Sequence, residues 1–309
     1  MAPCIIGCGA MGSLLALQLY RATGEPPVCI ARDPGRAREL ASLEVEEGGA
    51  LRHVPVEAYS GPVPGLCRTA IVAVKSWSLP GALRAARLSG AEKVFLLLNG
   101  LVGEAEAARY GYRPRFIVST YGARRTGRAR VVIAGEGYHV IGLPGALDEE
   151  SCRLAGLLRM GGAKAWCTGR IEWYRWLKAG VNAAINGVTS VLWAPNRVVV
   201  ENPWARRVAL RVAWEAAEAA RRAGVELRGE EVVGEVLRVA RDTGDNVSST
   251  LQDLEACRRT EAPAIYEPII RALEGRAPTI EALYFLVRAL ELGGLRCRGR
   301  RSQHPAWQR

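Results

Sequence analysis

Short apolar runs alternate with amphipathic stretches along the first part of the chain. After about residue 170 the apolar positions recur at helical spacing almost throughout. Residues 2 to 6 (APCII) predict a strand, SLLALQLYRATG a helix, and PVCIAR at 27 to 32 a second strand, together one β-α-β unit. TAIVAVK at 69 to 75, KVFLLLNG at 93 to 100 and RFIVSTYG at 115 to 122 predict more strands. They are nearly continuous in apolar residues, as parallel strands covered on both faces must be. RARVVIAGEGYHVIGLPG at 128 to 145 then predicts an antiparallel appendage, followed by a helix at 148 to 160 and a short strand in AKAWCT.

Between the first strand and the first helix stands GCGAMG, with Gly7, Gly9 and Gly12 in G-x-G-x-x-G spacing. Gly7 permits a tight turn, Gly9 lets backbone approach a pyrophosphate and Gly12 lets helix pack on strand, while free amides at the helix start attract phosphate. The fold class expected is therefore α/β, with a Rossmann-type dinucleotide-binding domain over 1–168 and a helical domain over 169–309. Gly7, Cys8, Gly9, Ala10, Met11 and Gly12 are the expected cofactor contacts. At the end of the second strand an acidic residue would take a free ribose 2′-hydroxyl, whereas arginine suits a 2′-phosphate. Arg32, with Arg36 close behind, favours NADPH, and Asp33 leaves NADH open.

Composition adds bounds. The formal charge of +11 points to anionic partners, but the arginines are spread and no recognition motif accompanies them, so nucleic acid is not expected as a partner. Only the ending RGRRSQHPAWQR is locally basic, and a flexible tail is expected from about 296 to 309. No apolar run reaches the roughly 18 residues of a membrane span, and the start lacks a signal-peptide pattern, so a cytoplasmic protein without membrane attachment is expected. The eight cysteines form no CxxC pair and have no clustered His, so no metal site is expected. Cys4 and Cys29, inside apolar runs, read as small buried hydrophobes, with disulfides an option only in a hyperthermophile.

Lysine is scarce, four of the 42 basic Lys and Arg residues, and asparagine occurs six times. Within WLKAGVNAAINGVTSVLWAPN the chain nevertheless places Lys178, Asn182, Asn186 and Asn196. The first three are spaced i, i+4, i+8 and line one face of a helix that Pro195 ends. Farther on, DNVSSTLQDLEACRRTEAP offers Asn246, Ser248 or Ser249 as a helix cap and Glu261 as a carboxylate.

Together, GCGAMG, VAVKSW around Lys75, LLNGLVGEAE around Asn99, WLKAGVNAAIN, APN and NVSSTLQDLEACRRTE resemble the ketopantoate reductase family over most of the chain. The resemblance implies a Rossmann domain, a helical domain of the 6-phosphogluconate-dehydrogenase type, and an active site in the cleft between them. It also implies reduction of 2-dehydropantoate to (R)-pantoate with NADPH, on the route to pantothenate and coenzyme A. By the same resemblance Lys178 and Glu261 are catalytic, and Asn99, Asn182, Asn186, Asn196, Asn246 and Ser249 bind substrate. Lys75, Asn99 and Glu261 border the cofactor, and Arg32 reads its 2′-phosphate. A homodimer is implied, and coenzyme A, which shares an adenosine phosphate portion with NADP, is expected to compete for the basic cleft.

The chemistry suits these residue types. Hydride transfer to a ketone builds charge on oxygen, which a nearby cation must stabilise and then protonate. Lysine can do both, whereas arginine does not give up its proton. The chain departs from the family after Glu261, where it reads APAIYEP; Pro263 is expected to alter the start or bend of the next helix.

Overall fold

A computed structural model describes residues 2–293. The chain separates into two compact units: Met1–Leu98 with Val102–Ile171, and Asn99–Leu101 with Glu172–Arg309. The division thus falls three residues beyond the expected 168/169 border. It also assigns Asn99, read from sequence as the end of a sheet strand, to the second unit.

The first unit contains β1 (Cys4–Ile6), α1 (Ala10–Thr23), β2 (Val28–Ala31), α2 (Pro34–Leu40), β3 (Glu44–Glu47), β4 (Ala50–His53), β5 (Glu57–Ser60) and β6 (Thr69–Val72). It continues with α3 (Leu79–Leu88), β7 (Lys93–Leu96), α4 (Glu104–Arg109), β8 (Arg115–Ser119), β9 (Gly122–Arg125), β10 (Arg130–Ala134), β11 (His139–Gly142), α5 (Glu149–Met160) and β12 (Ala165–Cys167). One sheet runs β12-β11-β8-β7-β6-β1-β2-β5, parallel from β8 to β5. Its central residues Ile5, Ile71 and Phe95 are fully buried, as two covered faces demand. The chain passes from β1 to β2 on one side and later to β6 on the other. The reversal opens a crevice at the carboxyl ends beside β1, where ligands of such sheets bind.

The expected appendage divides between two sheets. β11 adds antiparallel to β8, with Ile141 opposite Ile117, while β10 joins a separate sheet, β4-β3-β10-β9. The β3–β4 hairpin has no apolar alternation to announce it, since β3 reads EVEE and buries only Val45. Its turn is Gly48-Gly49, both at positive φ, as a tight two-residue hairpin requires.

The reading of Cys4 and Cys29 as free thiols is corrected. Disulfides join Cys4 to Cys67, Cys8 to Cys29 and Cys152 to Cys167, with Cα separations of 5.7, 6.4 and 4.8 Å. Cys67 lies ahead of β6, Cys8 in the turn after β1 and Cys152 on α5, so the packing of loops and a helix against strands sets these distances within disulfide reach, which strand-like patterning alone does not reveal.

The second unit holds α6 (Ile171–Leu192), α7 (Val198–Glu201), α8 (Pro203–Arg222), α9 (Gly229–Asp242), α10 (Ser249–Glu255), α11 (Ala262–Leu273) and α12 (Pro278–Gly293). Two glycines let α6 pack at its centre. A Cβ at Gly180 would lie 3.0 Å from Val232 on α9 and 3.1 Å from Ala216 on α8, and one at Gly187 would press on the Tyr266 hydroxyl of α11 and on Leu283 of α12. Positions 180 and 187 lie about half a turn from position 178, so the face opposite Lys178 is the packed one. Pro263 does not bend α11. It sits in the first turn, where a backbone donor is not needed, and Pro268 is the proline inside the helix.

Among the described residues no helix is long and apolar enough to cross a membrane, and no group of side chains could hold a metal ion. The basic ending from about 296 lies outside the described residues.

Candidate active site

Helix α6 carries Lys178, Asn182 and Asn186 on one face because the packing of Gly180 and Gly187 fixes its rotation. Lys178 and Asn182 keep partial exposure, and Asn186 is buried. Although Lys178 is not fully covered, desolvation around its nitrogen brings its pKa down from 10.5 to about 8, and the charge of Glu261 opposes that fall. The ammonium can therefore release its proton near neutrality. Asn186 Nδ2 is buried without a hydrogen-bond partner among the described residues, an open donor on the lysine's side of the helix.

Glu261 is 5% exposed and immediately precedes α11. Asn99 Nδ2 donates to its Oε2 over 2.9 Å. The segment beside Asn99 is held by backbone contacts: Leu101 N donates to the Ala264 carbonyl over 3.1 Å, and Gly100 has φ of 86°. A Cβ at Gly100 would strike that carbonyl, so glycine is needed for the approach. A cation, a carboxylate and three carboxamides thus come from α6, the start of α11 and the 99–101 segment of this unit. The arrangement can hold a polar ligand and pass it a proton.

The remaining second-unit candidates divide. Asn196 is buried; its Nδ2 donates to Thr243 Oγ1 over 2.9 Å, and its backbone N–H to the Asn246 carbonyl over 3.0 Å. Asn246 and Ser249 are exposed. Of the three capping candidates it is Ser248 that caps α10, accepting from Leu251 N, and its Oγ also takes a 2.8 Å bond from Thr189 on α6. Thr189 had no signal in the sequence, since its partner is 59 residues away.

In the first unit the glycine turn fits a dinucleotide. Gly7, at φ of 92°, leaves no room for a side chain beside Val74 and Ala73, and a Cβ at Gly12 would collide with the Gly7 carbonyl. Nothing lies within 4 Å of the place where Gly9 would carry a Cβ, which leaves space for a phosphate to approach the backbone. Cys8, Ala10 and Met11 complete the turn into the 14-residue α1, whose first amides face that space.

Arg32 at the end of β2 is almost fully exposed, with Asp33 at 3.6 Å. The Asp33 carboxylate caps α2 by accepting from Arg36 N over 2.8 Å, and that bond draws its pKa below the usual value. Arg36 is not turned toward a ligand. Its guanidinium donates to the carbonyls of Cys8 and Arg128 and to Glu39, so it is a strut and not a phosphate reader. Lys75 lies beyond the end of β6 with its nitrogen 5.8 Å from the Trp77 ring centre. Tyr121, near the end of the RFIVSTYG run, is built into the packing, with its ring 4.7 Å from that of His139 and its hydroxyl accepting from Lys164 N.

Comparison with known proteins places this geometry. Residues 4–145 match the family model described as ketopantoate reductase PanE/ApbA, and residues 170–291 match that of its C-terminal part. The 2-dehydropantoate 2-reductase of Pyrobaculum aerophilum is 36% identical over 296 residues, covering 93% of this chain and 97% of that enzyme. A PanE/ApbA family ketopantoate reductase from Ralstonia eutropha superposes with a TM-score of 0.83 at 26% identity, over 94% and 98% of the two chains. A D-mandelate dehydrogenase solved with NADH and anilino(oxo)acetate has the same fold, with a TM-score of 0.84 at 21% identity over 94% and 98%.

Proposed function

This chain belongs to the ketopantoate reductase family, and from that premise we propose that it reduces 2-dehydropantoate to (R)-pantoate with NADPH. The product would serve the synthesis of pantothenate and coenzyme A. The first unit is the dinucleotide-binding part and the second carries the substrate and acid-base residues. When bound, the nicotinamide supplies the hydride. Lys178 stabilises the developing negative charge on the carbonyl oxygen and delivers the proton that completes the alcohol. Glu261, fixed by Asn99, keeps Lys178 charged near neutrality and accepts from a substrate hydroxyl. Asn182, Asn186 and Asn196 hold the substrate by donating and accepting, with Ser249 and Asn246 at its carboxylate end. The glycine turn from Gly7 to Gly12, with Lys75, contacts the cofactor.

The observation that carries this reading is the set of Lys178, Glu261 and Asn99, distant in sequence, joined in one unit with the lysine brought to about 8. NADPH over NADH is supported by Arg32, and by the use of the Asp33 carboxylate as a helix cap, which occupies the group that would take a ribose hydroxyl. Coenzyme A is expected to compete with NADPH, and the enzyme to act as a homodimer.

The test is NADPH oxidation with 2-dehydropantoate, run beside NADH and beside Lys178→Ala, with NADPH binding measured for both proteins. Turnover by the wild type, with loss of most of the rate but not of binding in the variant, is expected. NADPH binding without turnover of 2-dehydropantoate would overturn the substrate assignment. Other branched 2-keto acids would then be the panel to try, because APAIYEP departs from the family.

A further inference from the structure

The Arg36 strut has a second end. While Nη2 donates to the Cys8 carbonyl in the glycine turn, Nη1 donates to the Arg128 carbonyl over 2.6 Å. One guanidinium therefore spans the phosphate-binding turn and the tip of the β9–β10 hairpin, 92 residues away. Arg125 Nη2 donates to the same Arg128 carbonyl over 3.0 Å and lies 3.5 Å from Glu39, which also holds Arg36. The hairpin tip is thus fastened to α2, next to the β2 end where Arg32 stands.

The cations in this corner are not equivalent. Arg36 and Arg125 share Glu39 and spend donors on carbonyls, and Arg130 pairs with Glu46 at 2.7 Å. Arg124 sits opposite Val132 in the hairpin register, one residue from Arg125 and so on the other face of the sheet. Arg128 differs: its backbone is fixed by two arginines, while its exposed side chain has no carboxylate within ion-pair distance among the described residues. Arg32 is partly neutralised by Asp33. A phosphate monoester carries about 1.5 to 2 negative charges near pH 7, more than Arg32 beside Asp33 balances.

We propose that Arg128, carried by the β9–β10 hairpin, joins Arg32 in reading the 2′-phosphate of the cofactor's adenosine. It would be a specificity-determining residue contributed by the second sheet of the first unit. This rests on the assignment of NADPH as cofactor. The hairpin offers a planar, always charged group that can meet phosphate oxygens with two donors at once.

Equilibrium titration of the full protein with NADPH, NADH, 2′,5′-ADP and ADP tests it, in the wild type, Arg32→Ala, Arg128→Ala and Arg128→Glu. Arg128→Ala is expected to weaken NADPH and 2′,5′-ADP about tenfold, as for loss of one charge-assisted contact near solvent, with NADH and ADP unchanged. Arg128→Glu should weaken the phosphorylated pair further. Equal weakening of all four ligands, or no change in any, overturns the proposal. If Arg32→Ala loses NADPH selectively and Arg128→Ala does not, the cofactor assignment stands and the role of Arg128 falls. A wild type that binds NADPH and NADH equally overturns the cofactor assignment itself.

Discussion

The Asn99 amide donates to the Glu261 carboxylate over 2.9 Å although 162 residues separate them. The bond orients one carboxylate oxygen of Glu261, the group whose charge raises the proton affinity of Lys178. The backbone bond from Leu101 to Ala264 and the glycine at position 100 hold both partners, so the contact does not depend on two mobile side chains finding each other.

Asn99→Ala is expected to lower kcat/KM about tenfold to a hundredfold, as for removal of a hydrogen bond to a charged group worth about 1.5–3 kcal/mol. Thermal unfolding should change far less than activity. Steady-state kinetics with unaltered kcat/KM would rule out a supporting role for this contact.

The pH dependence follows from Lys178. As a proton donor it must be charged, so ketone reduction should be full below about pH 8 and fall above it, and the reverse oxidation should rise over the same interval. Glu261→Gln removes a charge that raises the lysine's pKa, so the inflection should move to lower pH. Stability responds with its own sign. The unfolded lysine keeps its proton up to about 10.5 and the folded one only to about 8, so the unfolded chain binds more protons between these values. Lys178 therefore makes the fold more stable as pH rises through that window. Rate profiles that stay flat from pH 7 to 9.5 in both directions would exclude Lys178 as the titrating acid.

Gly187→Ala should destabilise the second unit by about 1–3 kcal/mol, because the added methyl presses on the Tyr266 hydroxyl and Leu283 in a filled core. The tyrosine cannot swing away cheaply: it is fully buried and donates to the Ala183 carbonyl over 2.8 Å. A lower urea midpoint is the readout. A rise would mean that helix propensity outweighs the clash.

Reduction should lower the melting temperature. Loops of 15, 21 and 63 residues are closed by the disulfides Cys152–Cys167, Cys8–Cys29 and Cys4–Cys67 among the described residues, and such loops restrict the unfolded chain by about 3 to 4 kcal/mol each. Thiol titration of untreated protein establishes whether the bonds are present in solution. An unchanged melting temperature after verified reduction would show that they contribute nothing.

Periodicity alone determined the β-α-β opening, the parallel strands and the long α6, because continuous apolar runs and i, i+4 spacing are local consequences of burial. The glycine turn and the lysine-asparagine stripe were equally local, and so was the resemblance they supported. The β3–β4 hairpin escaped because its strands bury almost nothing, and the disulfides escaped because tertiary packing, not spacing, sets their distances. Arg36 read as a ligand residue on linear position, yet its acceptors at Cys8 and Arg128 come from other parts of the chain. Tertiary structure alone decided that Asn99 meets Glu261, that Ser248 and not its neighbours caps α10, and that the lysine's nitrogen is desolvated. Each of these depends on which surfaces pack together, and burial sets proton affinity and hydrogen-bond choice only once the chain has folded.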